Sequence, residues 1–105
     1  MFLFVVVSTF LVPIEVIDEN VADHAAWVEE QYAKGRVLAS GRRQPPIGGI
    51  IILRGESREE IVRLFSDEPF NTRGLVEYQF FQLTPGEFPR RSPEFDTFFK
   101  RPLTP

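Results

Sequence analysis

The sequence holds a single histidine, His24, and this is the residue best suited to proton chemistry at neutral pH, because an imidazole titrates near neutrality and can give or take a proton there. It lies in the stretch 18–35, DENVADHAAWVEEQYAKG, whose apolar residues recur with helical spacing. Val21, Ala25, Val28 and Tyr32 fall at i, i+4, i+7 and i+11 on one stripe, whereas Asp23, Glu29, Glu30 and Lys34 point elsewhere. His24 is placed on the margin of that stripe, one turn after Val21 and one turn before Val28, with Trp27 and Gln31 on the same flank. A margin leaves a side chain half buried and within reach of a ligand, and a carboxylate beside the ring would fix its orientation and favour its charged form. The same position suits a histidine that only hydrogen-bonds locally, so the residue alone leaves both readings open.

Composition narrows the chemistry. The absence of cysteine excludes disulfides, thiolate chemistry, zinc–thiolate sites and iron–sulfur clusters, and one histidine excludes a multi-histidine metal site within a subunit. No metal and no cofactor are expected, and Gly48-Gly49 has neither the spacing nor the following helix of a phosphate cradle. The 15 acidic and 12 basic residues give a net charge of -3, which argues against nucleic-acid binding and against an anionic membrane surface. The opening MFLFVVVSTFLVP is apolar but lacks a basic start and a small-residue cleavage site, and it is too short to span a bilayer. It reads as a buried strand, and a cytoplasmic location is the expectation.

At 105 residues the chain has room for one domain with a modest core. Eleven phenylalanines exceed what so small a core needs, so some are expected in a subunit interface. Residues 2–9 form a continuous apolar strand, 10–17 with Pro13 a connection, and the helix over 18–35 is capped by Asp18 or Asn20 and stopped at Gly35. Residues 36–42 and 48–54 read as an antiparallel hairpin around the loop 43–47. Ser57 and Glu60 match a capping box opening a helix with Ile61, Leu64 and Phe65, which ends before Pro69; 69–74 is a turn, and 75–83 a fourth strand with Val76, Tyr78 and Phe80 on one face. The order β-α-β-β-α-β predicts an α+β, ferredoxin-like domain over 1–85, with both helices on one face of a four-stranded antiparallel sheet. Residues 86–105 read as an extended Pro/Phe-rich tail with one helical turn at 94–99, and Phe88, Phe95, Phe98 and Phe99 call for docking on the body or on a partner subunit. The open face of the sheet is a natural dimer surface, and two such sheets packed together give a barrel-like homodimer.

The chain also resembles a known family. His24 followed by Trp27 and Gly35-Arg36, the segment Leu38-Ala39-Ser40-Gly41, Gly48-Gly49, the run from Gly55 to Glu60, and above all Asp67-Glu68-Pro69-Phe70 with Gly74-Leu75 resemble, in order, the YciI-like (YCII-related) family of dimeric α+β barrel proteins. The likeness implies a histidine–carboxylate site in which His24 is the acid or base and the carboxylate before Pro69-Phe70 orients it. Here Glu68 stands where the family usually has Asp, and Asp67 precedes it, so either carboxylate is a candidate. By the same likeness Ser40 and Gly41 line the pocket, Arg42 replaces a frequent Pro and adds a positive charge suited to an anionic ligand, and Trp27 is a further ligand contact. Ser40 has no base of its own and reads as a pocket hydroxyl, not a nucleophile.

Two functions fit these residues. One is a small cofactor-free lyase or isomerase that moves protons on an aromatic or enol-type small molecule. The other is a non-catalytic dimeric ligand-binding or accessory module.

Overall fold

A computed structural model of the chain describes residues 1–83 and 92–105. The apolar opening forms β1 (Phe2–Phe10), followed by α1 (Ile14–Ala33), β2 (Val37–Arg42), β3 (Gly49–Gly55), α2 (Arg58–Phe65), the single turn α3 (Pro69–Thr72), β4 (Val76–Gln82) and α4 (Pro93–Lys100). The strands make one sheet in the order β2-β3-β1-β4, with every neighbouring pair antiparallel. β1 is interior because it pairs with β3 along one edge and with β4 along the other, and its run of Phe and Val packs one face under the helices. Its even-numbered Phe4 and Val6 join Val37, Ile51 and Leu53 beneath Trp27 and Val28 of α1 and Ile61 and Phe65 of α2. A second cluster, Ile17, Phe70, Leu75 and Val76, closes the end of the sheet next to α3. On the opposite face the register aligns Val5 with Ile52 and Phe81, and Val7 with Ile50, and Phe81 there is 54 % exposed.

The structure corrects the start of α1. The helix begins at Ile14, a turn earlier than Asp18 or Asn20 as caps suggest, and Pro13 stands at its N-cap with no side-chain cap. Proline's fixed φ suits a helix entrance, and the added turn buries Ile17 completely. Asp18 and Asn20 therefore lie inside the helix. Asn20 turns its amide back to the Val16 carbonyl, and Asp18 pairs with Arg42. The end falls as the glycine requires, with Gly35 at φ 80 in the left-handed region. At α2, Ser57 accepts from the Glu60 N–H at 3.1 Å, while the Glu60 carboxylate reaches the N–H of Glu56 at 2.7 Å, one residue before the cap.

The last residues are more ordered than an extended tail with one turn. Ser92 caps α4 by accepting from the Phe95 N–H, and Phe98 is buried. What holds α4 is Arg54 of β3, whose side chain is 1 % exposed. Its Nε donates to the Gly35 carbonyl at 3.0 Å and its Nη1 to the Phe99 carbonyl at 2.8 Å, and the guanidinium lies 4.9 Å from the Phe98 ring centre. Both carbonyls belong to C-terminal ends of helices, where the helix dipole favours a cation. Burial first, and then the charges of Arg101 and Arg36, lower the Arg54 pKa from its usual value. The Thr104 N–H adds a bond to the Lys34 carbonyl. Phe88 and the domain boundary expected at 85/86 lie outside the described residues. Arg54→Ala strands two carbonyls and removes the surface under Phe98, so it is expected to cost about 2–4 kcal/mol and to open the C-terminal segment to protease. Urea denaturation and limited proteolysis measure both, and an unchanged midpoint would discard the clasp.

Candidate active site

The site begins with a gap in the sheet. One row across it reads Arg42, Gly49, Ser8, Tyr78: Arg42 is registered with Gly49, Gly49 donates its N–H to Ser8 Oγ at 2.8 Å, and Ser8 is registered with Tyr78. The next row, Ser40, Ile51, Val6, Phe80, already carries large side chains in the middle. Two small residues at the centre of the first row leave space beneath α1. The result is a cavity of about 600 Å³, floored by Ser8, Gly48 and Gly49 and roofed by Val21, Ala25 and Val28. The Gly48-Gly49 pair does more than ease entry to a strand, since a Cβ on Gly48 would lie 1.8 Å from the backbone oxygen of Ser8. No side chain fits there.

The hollow also explains a second correction. Val21 and Ala25 were expected on the core-facing stripe, but both are exposed and line the cavity, while the buried residues of α1 are Ile17, Trp27, Val28 and Gln31. His24 therefore sits within the buried stripe, not on its margin, and its side chain is 22 % exposed. Its ring stacks flat on Phe70, with centroids 4.1 Å apart and planes at 5°. Its Nδ1 lies 2.6 Å from Oε1 of Glu68.

Glu68 is fully buried and fully used. It is the N-cap of α3, with Pro69 at the first helical position. Oε1 accepts from His24 Nδ1 and from the Phe70 N–H at 3.1 Å; Oε2 accepts from the Tyr78 hydroxyl at 2.6 Å and from the Asn71 N–H at 3.1 Å. Burial pushes its pKa up, but the hydrogen bonds from His24, Tyr78 and the Phe70 N–H, with the charge of His24, prevail and hold the carboxyl below its ordinary range. Burial, followed by the charge of Glu68 and the hydrogen bond to it, pushes the Tyr78 phenol far above its usual value, so it stays an O–H donor. With Nδ1 committed to Glu68, Nε2 is the nitrogen left for a ligand, and in the neutral ring it is a bare acceptor.

The other residues singled out in the sequence divide. Asp67 accepts from the Trp27 indole N–H at 3.3 Å, away from the imidazole, and Trp27 is 8 % exposed in the core and does not line the cavity. Ser40, Gly41 and Arg42 do line it. Ser40 Oγ is 2.8 Å from the Tyr32 hydroxyl, and Arg42, paired with Asp18, holds its guanidinium 5.9 Å from the Phe10 ring centre. Tyr78 and Ser8 are not among the expected site residues, and Phe70 enters the sequence reading only as part of the Asp67-Glu68-Pro69-Phe70 run. The signal for Tyr78 was a lone hydroxyl on the core-facing side of an aromatic strand, because a buried phenol needs an acceptor. Among the described residues no cluster of three or more potential ligands is placed to hold a metal ion.

Residues 2–83 match the YCII-related domain. The chain belongs to the YCII-related family. No curated protein matches this YCII-related sequence. Among solved structures, the 5-chloro-2-hydroxyhydroquinone dehydrochlorinase TftG from Burkholderia phenoliruptrix AC1100, in complex with 2,5-dihydroxybenzoquinone, is similar with a TM-score of 0.68 at 20% identity, over 78% of this chain and 93% of that one. At that identity the likeness is one of fold, an α+β domain with a four-stranded antiparallel sheet.

The buried carboxylate has a pH signature. The native pKa of Glu68 lies below the unfolded value of about 4.3, so its contribution is present above that value and is lost as pH falls through the native one. Glu68→Gln is expected to cost about 2–4 kcal/mol at neutral pH, and its deficit relative to the wild type should shrink as the solution is acidified towards about pH 3. Urea midpoints across that range test it; a constant deficit would mean that the ionised carboxylate is not the stabilising species.

Proposed function

We propose that this YCII-related protein is a small lyase or isomerase that uses a His24–Glu68 pair, without a cofactor, to move protons on a planar aromatic or enol-type molecule bound in the cavity. The observation that carries this reading is the commitment of His24 Nδ1 to a fully buried carboxylate while the same ring lines a cavity of about 600 Å³. Nε2 takes a proton from a hydroxyl or an activated carbon of the ligand, the imidazolium is stabilised by Glu68, and the proton returns to another atom of the ligand or leaves with a departing group. Tyr78 is a positioning residue that holds Glu68 through its second oxygen. The 2,5-dihydroxybenzoquinone held by TftG has the planarity and the acidic hydroxyls that such a pair would act on.

The expected outcome for His24→Ala is a folded protein, by circular dichroism and thermal melting, with turnover of chlorinated or hydroxylated hydroquinones lowered by about 100-fold or more. Undiminished turnover would remove His24 from the chemistry. Wild-type binding of these ligands without conversion would favour the second reading, a ligand-binding or accessory module, which the substitution of Glu for the usual Asp also supports.

In either role we take the protein to be a homodimer in the cytoplasm. The sheet face bearing Val5, Val7, Ile50, Ile52 and the exposed Phe81 is apolar enough for self-association, and no helix among the described residues is long and apolar enough to cross a membrane. Phe81→Asp is expected to shift the sedimentation profile to monomer while the melt stays cooperative. A dimer that survives this change would place the interface elsewhere.

A further inference from the structure

The cavity has an electrical direction. At one end stands the buried Glu68 carboxylate, behind His24 and Tyr78; at the other stands Arg42. Tyr78 and Arg42 belong to the same row across four strands, so three strand spacings separate their backbones, about 14 Å. Between them the floor is Ser8, Gly48 and Gly49, and the roof is the aliphatic surface of Val21, Ala25 and Val28. A cavity of about 600 Å³ has room for a single flat ring with one edge towards each pole.

From this arrangement we infer that the natural ligand is an acid: a planar hydroxylated or enolic ring whose carboxylate binds Arg42 and whose proton-bearing edge faces His24. This rests on the His24–Glu68 reading given above and adds the ligand's charge and its orientation. A carboxylate at the His24 end would meet the fixed negative charge of the buried Glu68, so that end rejects it. At the other end a guanidinium offers a planar fork matched to a carboxylate. Arg42 is held over Phe10 at the cavity wall, and its partner Asp18 does not block it, because both side chains are well exposed, at 42% and 55%, and an exposed ion pair adds little stability. The ligand carboxylate exchanges with Asp18. The Ser40 hydroxyl, two residues back on the same strand, lies beside that position and can donate to the ligand. Glu29 also borders the cavity, but it is exposed, so its charge is screened by solvent.

Two probes that differ by one carboxylate test this: 2,5-dihydroxybenzoate and hydroquinone, titrated into the full-length protein by calorimetry and followed by amide chemical shifts at low ionic strength. The wild type is expected to bind the benzoate at least about tenfold more tightly. Arg42→Gln should collapse that difference, and Asp18→Asn, which removes the competing carboxylate, should widen it. Equal affinities in the wild type, or a preference that survives Arg42→Gln, overturn the inference. If hydroquinone then still binds and His24→Ala abolishes that binding, the proton-transfer reading stands without the acid. If neither probe binds, both fall.

Discussion

A carboxylate removed from water needs its lone pairs filled, and the candidate site is arranged around meeting that need. Glu68 draws donors from three separate elements: His24 on α1, the first backbone N–H groups of α3, and Tyr78 on β4. An uncompensated buried charge costs several kcal/mol, so the three elements are not free to drift apart. The requirement that keeps the charge tolerable therefore fixes the orientation of the histidine. Phe70 adds to this, since the residue that donates its N–H to Glu68 also supplies the face on which the imidazole stacks.

The hollow in front of the histidine has a different origin. Sheet registry sets which side chains stand in a row, and only the row of Ser8 and Gly49 lacks bulk in its middle, while Phe4 and Leu53 further along are completely buried. The cavity is thus a local gap in an otherwise filled core, with Arg42 at one end and, behind His24 and Tyr78, the Glu68 carboxylate at the other. This division of labour, rigid polar support on one side and empty space on the other, is what a site for a small planar molecule requires.

Much of this was legible in the sequence because the signals were strong and local. Strand periodicity, the Ser57–Glu60 cap, the Pro69 stop and Gly35 fixed the element order, and the Asp67-Glu68-Pro69-Phe70 run pointed to the region of the carboxylate. The choice between Asp67 and Glu68 was not legible from composition, but it follows from a backbone rule: the residue before a helix-initiating proline is the N-cap, and that is Glu68. The face of α1 was misjudged because apolar spacing cannot distinguish a wall of packed side chains from a wall of empty space, so Val21 and Ala25 read as core. Asp18 and Asn20 imitated a helix start, since both are good capping residues and their partners Arg42 and Arg73 lie far along the chain. The clasp formed by Arg54 was invisible for the same reason. Its partners are carbonyls 19 and 45 positions away.

Gly48 and its contact with β1 bear on how such a protein can change its ligand over time. Because a single added carbon would meet the Ser8 backbone at 1.8 Å, the floor of the cavity is tied to the pairing of the strands, and a lineage cannot deepen or fill it there without disturbing the fold. The roof is under no such constraint: Val21 and Ala25 face open space at the border of a stripe by which Ile17, Trp27, Val28 and Gln31 hold the helix. New ligand shapes are therefore accessible through those two positions, at small expense to folding, while the histidine and its carboxylate remain in place.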